Sequence, residues 1–336
     1  MLSTMITVVM LSQVSVSDAD VRQAVERSLP FLEEGGVRWM QERGCVSCHH
    51  VPFMIWSHVD ARSLGMRIDD DKLERWTDQA FVSMLAQRKE GGGADSMSQM
   101  LLGRDRASRW RKKPPRHFKT SDPYDTMFEM LLDRQKEDGS WPPEGQLSTP
   151  PSLTTRWALL ALQSREDTEG DPGAGLDPDD HMASPLTEQI RSIEARLPES
   201  RKRGRAYLAS VAPHETNESH VLRAVLERTK EEDSVAALLA RQNADGGWSN
   251  LSANTASDAY ATGQTLYGLS LLGVQPDHPA IARARTFLAR TQGDDGSWTV
   301  PAERIREGAK RGAVDEVFSY WGTAWAAIGL MRTLPD

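Results

Sequence analysis

The sequence lacks a long apolar run, an excess of positive charge, and all but two cysteines. No stretch approaches the length of a membrane span. Forty Lys and Arg face 48 Asp and Glu, for a net charge of −8, and this balance argues against nucleic acid as a partner. The chain is 39% apolar and 26% charged over 336 residues, a globular composition that is long enough for one large or two ordinary domains.

The first 17 residues lack the positive start of a complete signal peptide. They do contain an apolar run, Met5–Leu11, and then small residues, Ser15–Ser17, ahead of Asp18. This order is typical of a signal peptide with its cleavage site. We interpret residues 1–17 as a signal peptide shortened by a misplaced start codon, or alternatively as a frayed terminus, and we expect residues 18–336 to form a single domain.

Both cysteines fall in one short motif. Cys45 and Cys48 stand two residues apart, and His49 follows directly. A C-x-x-C-H run is typical of covalent attachment of a c-type haem, in which two thiols bond the porphyrin and the histidine binds its iron. The motif predicts Cys45 and Cys48 as tethers and His49 as the iron ligand. Because such attachment takes place outside the cytoplasm, we expect an exported protein of the periplasm or cell envelope.

Other interpretations of the motif stay open. A zinc ion could bind the two thiolates and the histidines, although no second C-x-x-C or H-x-x-x-H cluster completes a tetrahedral set. A redox-active dithiol would be expected within a βαβ pattern, and the sequence shows none around it. A chance occurrence is the remaining alternative.

Several nearby side chains could complete a haem site. His50 is interpreted either as a contact to a propionate or as an exposed histidine. The alternatives for a sixth iron ligand are Met54, His58, Met66, Met97, Met100, or no protein ligand at all. Phe53, Trp56 and Trp39 could cover the porphyrin or simply pack in helices, and Arg43, Arg104 or His117 could meet the propionates.

Three segments share the pattern Q-x-x-D-G-[SG]-W: 135–141, 242–248 and 292–298. Each follows a stretch with helical periodicity. The first of these stretches opens with Asp122 and Pro123, which are typical of a helix start. A second apolar stretch follows each Trp, with small residues near its end that let neighbouring helices approach closely. The repeating unit is therefore a helix, an Asp-Gly turn and a second helix.

The spacing of the repeats predicts six helical hairpins. Counting back from the repeats places the C-x-x-C-H motif where other hairpins carry their turn. The expected hairpins are residues 20–66, 69–107, 121–164, a degenerate unit around 205–226, 231–273 and 277–333. Residues 164–200 are predicted to be a loop insertion because they begin with an acidic Gly/Pro-rich segment. Within it, a calcium site at Asp177–Asp180 is an alternative to a solvated loop.

The three repeats resemble the QW motifs of the squalene–hopene cyclase and prenyltransferase-like superfamily. This resemblance implies an all-α fold, an (α/α)6 toroid. It also implies a structural role for Gln135 with Trp141, Gln242 with Trp248 and Gln292 with Trp298, each pair tying an outer helix end to the turn before its inner helix.

The acid that the resemblance would imply for cyclisation is not found on an inner helix. Protonation in that superfamily uses a D-x-D-D motif, and the nearest match by position has Asp258 alone. Asp177–Asp180 spells D-x-D-D but lies in the predicted loop. Class II cyclase activity is therefore not expected, and whether the protein is an enzyme stays open. The zinc site of protein prenyltransferases would need a cysteine outside the motif.

The sequence predicts a haem c protein on a toroid, acting in electron transfer or redox sensing with an unknown redox partner. An alternative is a haem-dependent redox enzyme that holds an apolar substrate in a central cavity. The predicted lining of that cavity is Trp157, Tyr260, Tyr267, Trp321 and Trp325. A second alternative is a non-catalytic scaffold stabilised by zinc.

Overall fold

The computed structural model describes residues 16–43, 50–86, 93–104, 122–143, 149–166, 183–227, 231–251, 256–302 and 311–335. Within these ranges the chain forms helices and no strand, apart from two isolated β-bridges. The motif residues Cys45, Cys48 and His49, and also His117 and Asp177–Asp180, lie outside them.

The helices alternate between an outer and an inner position. The outer helices are α1 (Asp18–Arg43), α3 (Asp70–Ala86), α5 (Pro123–Asp133), α7 (Ala183–Ser210), α9 (Glu231–Leu239) and α11 (Pro279–Thr291). The inner helices are α2 (His50–Ser63), α4 (Ala94–Leu102), α6 (Pro151–Glu166), α8 (Asn217–Leu226), α10 (Ala259–Leu271) and α12 (Arg311–Met331).

The inner helices form a closed ring. Each packs on the next inner helix, from α2 through α4, α6, α8 and α10 to α12, and α12 packs back on α2. The six hairpins α1–α2 to α11–α12 form the predicted (α/α)6 toroid, which confirms the fold class.

Burial distinguishes the two kinds of helix. Eleven of the fourteen residues of α2 are buried, as expected for a helix enclosed on all sides. The outer helix α5 has the predicted start, because the Asp122 carboxylate accepts hydrogen bonds from the amides of Tyr124 and Asp125, with Pro123 in the first turn. One face of this helix, which includes Met127 and Leu131, is buried.

Small residues allow two inner helices to touch through their backbones. A Cβ atom on Gly263 of α10 would lie 2.2 Å from the Trp325 carbonyl oxygen of α12. A Cβ on Gly329 would lie 2.5 Å from the Gly263 carbonyl oxygen. The approach of α10 to α12 therefore requires glycine at both positions, of which the repeat pattern predicted Gly329 only.

Each Q-x-x-D-G-[SG]-W segment forms the same bonded turn. In the segment 242–248, the Trp248 indole is fully buried and donates to the Leu238 carbonyl at 2.8 Å. Gln242 Nε2 donates to the Gly246 carbonyl at 2.8 Å within the turn. Gly246 has φ +96°, and a Cβ there would meet the Arg283 carbonyl at 2.6 Å. The tie between the outer helix end and the turn, which the resemblance implied for the Gln and Trp of each repeat, is confirmed.

The glutamines also bond to the next outer helix, a role that the sequence did not predict. Gln135 Nε2 donates to the Ser200 carbonyl of α7, and Gln242 Nε2 to the Ala280 carbonyl of α11, both at 2.8 Å. Gln292 Nε2 donates to the Ala24 carbonyl of α1, also at 2.8 Å. Because α11 and α1 belong to the last and first hairpins, Gln292 closes the ring.

An arginine on the receiving helix completes each contact. Arg203, Arg283 and Arg27 donate to the side-chain carbonyls of Gln135, Gln242 and Gln292, respectively. Each glutamine amide is therefore bonded through both its nitrogen and its oxygen. These three glutamine contacts are called the glutamine clamps below.

The predicted loop insertion at 164–200 is wrong over its second half. Helix α7 begins at Ala183 and runs for 28 residues with Pro198 inside it. Its buried residues Ile193 and Leu197 face the core, and this helical periodicity was overlooked because of the preceding Gly/Pro-rich composition. Hairpin four is therefore complete, and its outer helix is longer than the unit around 205–226 suggested.

A glutamine clamp can be tested by truncation. We predict that Gln242→Ala lowers the free energy of unfolding by about 2–4 kcal/mol, because two carbonyls and the Arg283 guanidinium lose their partner. Urea unfolding measures this change. Gln275→Ala is the matched control, since the side chain of exposed Gln275 donates to the nearby Gly273 carbonyl and joins no second hairpin among the described residues. Equal stability of the two variants would contradict a structural role for the clamp.

Candidate functional site

The inner helices begin at the same end of the ring. Thr154 Oγ1, in the first turn of α6, lies 3.4 Å from Asp95 Oδ2 in the first turn of α4. Asn217 at the start of α8 donates to the Ala261 carbonyl at 3.0 Å, near the start of α10. The motif at 45–49 immediately precedes His50, the first residue of α2. The end of the ring at which the inner helices begin is called the entry end below.

The structure buries His50, which contradicts its interpretation as an exposed histidine. Its ring is stacked between Trp39 of α1 and Tyr320 of α12, with centroid distances of 4.2 Å and 4.1 Å. The Tyr320 hydroxyl lies 2.9 Å from both the His50 and the Leu32 carbonyl oxygens and donates to them. These contacts fix the start of α2 against α1 and α12, and burial raises the pKa of Tyr320 well above its usual value.

The proposed sixth ligands are all packed in the core. Met54 faces Gly36 of α1, where a Cβ would lie 2.5 Å from the methionine sulfur. His58 Nδ1 lies 2.7 Å from the Met54 carbonyl, and its ring packs on Trp76 at 5.4 Å. Met97 Sδ accepts from Arg134 Nη1 at 3.9 Å. Met66 and Met100 are buried as well, so the structure singles out no sixth ligand.

Arg104 does not lie at the entry end. Its guanidinium donates to the Leu101 carbonyl at 2.9 Å, and to the hydroxyl and carbonyl of Ser164 at 2.9 Å. Leu101 and Ser164 are near the C-terminal ends of α4 and α6. The prediction that Arg104 meets a propionate is therefore wrong, because this side chain joins the opposite ends of two inner helices.

The centre of the ring is filled with aromatic side chains. Trp325 of α12 contacts Phe53, Trp56, Tyr267 and Trp157, with centroid distances of 5.3, 5.5, 5.6 and 5.7 Å. These five residues are called the aromatic plug below. Trp56 is 0% and Trp325 1% exposed, so other atoms of the protein cover both rings almost completely. The prediction that Trp157, Tyr267 and Trp325 line an open cavity is therefore wrong, since these rings pack on one another.

A polar group lies next to the aromatic plug, toward the entry end. The Glu218 carboxylate, in the first turn of α8, accepts from Trp157 Nε1 at 2.6 Å and from the Tyr260 hydroxyl at 3.0 Å. Burial and the Glu218 charge raise the pKa of Tyr260 well above its usual value. Glu218 was not among the predicted site residues, although its place two residues after the Thr216 N-cap is a helix-start signal.

Gln264 lies one turn after Tyr260 on α10 and is buried. Neither its amide nitrogen nor its amide oxygen completes a hydrogen bond with any residue in the described part of the chain. The amide nonetheless lies near enough to the Tyr260 hydroxyl to oppose the rise of its pKa. Tyr260, Gln264 and Glu218 thus form a polar group at the edge of the plug.

Asp258 serves as a helix cap. Its carboxylate accepts from the Ala261 amide at 2.7 Å and from the Asn250 amide at 3.1 Å. These two bonds give Asp258 a structural role at the start of α10. Across the described residues, no cluster of three or more His, Cys, Asp or Glu could hold a metal ion. In the same part of the chain, no helix is long and apolar enough to cross a membrane.

Comparison with known proteins supports the cyclase-like toroid. Residues 216–300 match the family model of the squalene-hopene cyclase N-terminal domain. Cycloartenol synthase of Dictyostelium discoideum is 40% identical over 76 residues, which are 22% of this chain and 11% of the synthase. The chain thus spans about a tenth of that relative's length.

Solved structures extend the similarity to the whole fold. The type II terpene cyclase MstE from Scytonema superposes with a TM-score of 0.50 and 14% identity, covering 94% of this chain and 98% of the cyclase. A variant of it, bound to its product merosterolic acid A, gives a TM-score of 0.52 and 12% identity, with 94% and 97% covered. A protein from Actinoplanes gives 0.50 and 16%, with 94% and 99% covered. The chain therefore has the α/α toroid of the type II terpene cyclases.

The aromatic plug predicts a large loss of stability when its centre is removed. Trp325→Ala should lower the free energy of unfolding by about 3–5 kcal/mol, because it leaves a cavity among four rings. Chemical denaturation monitored by circular dichroism measures this loss. Phe318→Ala, at a half-buried ring of the same helix, is the control and should cost clearly less. Near-neutral behaviour of Trp325→Ala would indicate an open chamber.

His58 predicts part of the acid sensitivity of the fold. Burial lowers the pKa of His58 below its usual 6.5, so the unfolded chain binds a proton more readily than the folded chain. Stability should therefore fall as the pH drops through the unfolded value, between about pH 7 and pH 5. His58→Gln should flatten this slope of the unfolding free energy.

His278→Asn is the control for the histidine, because His278 is a half-buried N-cap that asparagine can replace. It should keep the wild-type pH slope. An unchanged slope in His58→Gln would show that His58 is protonated with equal ease in the folded and unfolded chains.

Proposed function

We propose that the protein is an exported c-type haem protein on a terpene-cyclase-like toroid, acting in electron transfer or redox sensing. The observation that carries the proposal is the filled centre of the ring. The aromatic plug fills the middle of the ring among the described residues, while the C-x-x-C-H motif directly precedes the first residue of α2 in the sequence. The toroid would then serve as a scaffold for that motif.

The donor set of the motif fits a haem. Cys45 and Cys48 would form the two thioether bonds, and His49 would bind the iron through its imidazole. A haem held in this way supplies one-electron chemistry. The contacts of His50 with Trp39 and Tyr320 support the proposal, because they anchor the residue that directly follows His49 in the sequence.

The protein's own residues would tune such a site through burial and positioning. The hydroxyl of Tyr320 anchors the His50 carbonyl, and the stack of Trp39, His50 and Tyr320 excludes water from the start of α2. A less polar surrounding favours the less charged state of a redox centre. The redox partner would approach from the entry end, at which α2 begins.

A second candidate is a redox enzyme with an apolar substrate near Glu218. The specific observation in its favour is the polar group of Glu218, Tyr260 and Gln264, because Gln264 offers both a donor and an acceptor without a partner among the described residues. The substrate would lie against the edge of the aromatic plug rather than inside the ring. A zinc-stabilised scaffold is the third candidate and uses the same Cys45, Cys48 and His49.

Covalent haem attachment is tested by expression of the full chain with c-type haem maturation machinery. We predict an intact mass increased by one haem and a reduced pyridine spectrum typical of two thioether bonds. Cys45→Ser and Cys48→Ser should each lose one thioether, and His58→Gln, which alters a core histidine, should keep both. An unmodified mass with stoichiometric zinc would contradict the proposal and favour the scaffold.

The spectrum of the iron separates the first two candidates. A low-spin iron that does not bind carbon monoxide would support electron transfer. A high-spin iron that binds carbon monoxide would support catalysis on a substrate at the Glu218 group.

A further inference from the structure

The interface of α6 and α8 contains cationic side chains that the haem proposal does not use. Arg156 of α6 is only 5% exposed. Its Nε finds no hydrogen-bond acceptor within the part of the chain that the structure describes. A guanidinium stays charged in proteins, and a buried charge without a bonded partner is strongly unfavourable. The position of Arg156 therefore calls for an anion.

The charged groups around Arg156 make a nearby anion still more favourable. Burial lowers the pKa of Arg156, and the positive charge of Arg223 on α8 lowers it further. Glu227 acts in the opposite direction, but it is exposed at the end of α8, and in the described chain it forms no ion pair with Arg156. Two guanidinium groups thus share one interface without an anion bonded between them.

His220 extends the cationic group along α8. Its Nδ1 lies 3.4 Å from Arg223 Nη2, and its Nε2 lies 3.3 Å from the Glu215 carboxylate. Burial, Arg241 and Arg223 lower the pKa of His220, which keeps the ring neutral and able to accept or donate one hydrogen bond. Arg223 and His220 are half-buried, so an anion from solvent can reach the group.

We propose that Arg156 and Arg223, with His220 beside them, form a binding site for a phosphate group, supplied either as inorganic phosphate or as a phosphomonoester. The guanidinium fork matches two oxygens of such a group. A doubly charged oxyanion neutralises both arginines, whereas a carboxylate neutralises one. This site lies between the inner helices of hairpins three and four and is independent of the haem proposal.

Isothermal titration calorimetry with inorganic phosphate at constant ionic strength tests the site. The wild-type chain should bind one phosphate, and acetate should bind much more weakly. Arg156→Met should weaken phosphate binding by about 10- to 100-fold, the cost of losing a charged hydrogen-bonding partner. Arg196→Met, at an exposed arginine of α7 that pairs with Asp133, should keep the wild-type affinity.

Thermal unfolding without phosphate provides a second readout. Arg156→Met should unfold at the same or a higher temperature than the wild type, because methionine keeps the length of the side chain and removes an unpaired buried charge. Glucose 6-phosphate as a second titrant distinguishes a phosphomonoester from the free ion, since tighter binding of the sugar phosphate would identify the ester.

Three results would overturn the proposal. One is the absence of binding heat up to about 10 mM phosphate. Another is equal affinity for phosphate and acetate. The third is a strong loss of stability in Arg156→Met, which would show that the chain itself already supplies the counter-ion. If Arg156→Met does not fold, the same phosphate titration is done with Arg223→Met, at the half-buried position, and the same weakening of binding is expected.

Discussion

The ring depends on the glutamine clamps. In each clamp, one glutamine side chain donates hydrogen bonds both to a carbonyl of its own turn and to a carbonyl of the next outer helix. A helical hairpin by itself exposes the apolar face of its inner helix and the open carbonyls at its helix ends. The nitrogen of Gln242 donates to a carbonyl in its own turn and to a carbonyl at the start of α11. Neighbouring hairpins are therefore fixed in angle as well as in distance.

Closure makes the clamps cooperative. Gln292 extends the same contact from the last hairpin to Ala24 in the first, and Arg285 of α11 pairs with Asp18 of α1 at 2.8 Å. No terminal hairpin is left with one unpartnered side, as the ends of an open array would be. The inner helices are consequently pressed against one another, and the aromatic plug fills the space that remains.

Because aromatic rings fill the centre of the ring, the likeness to terpene cyclases is one of architecture. A shared toroid shows the architecture and carries no activity with it. Here the rings of Trp56, Trp157 and Trp325 occupy the middle of that architecture, and Asp258 caps a helix. The features that remain for function are the C-x-x-C-H motif, which directly precedes α2 in the sequence, and the interface of α6 and α8, where Arg156 is buried.

The fold followed from the sequence because its signals are local and repeated. A hairpin is indicated by its Q-x-x-D-G-[SG]-W turn, by a helix start such as Asp122–Pro123 and by a pair of apolar stretches. Six such hairpins are enough to close a ring. Helix α7 was partly missed because a Gly/Pro-rich segment precedes it. The burial of His50 and the contacts of Arg104 were unpredictable, since their partners Tyr320 and Ser164 are 270 and 60 residues away in the chain.

The cavity was predicted wrongly for a related reason. Aromatic residues on inner helices either line a space or fill it, and the sequence pattern is the same in both cases. The outcome depends on how closely the helices approach, which Gly263 and Gly329 set through backbone contact. Such a distance is a property of the closed ring and has no signal in any single hairpin.

Xenon binding in pressurised crystals tests the central claim most directly, because xenon enters dry apolar cavities. The account predicts no xenon inside the ring of the wild-type protein and a bound xenon at the vacated position in Trp325→Ala. Xenon at the centre of the wild-type ring would contradict the account and restore an interior substrate chamber.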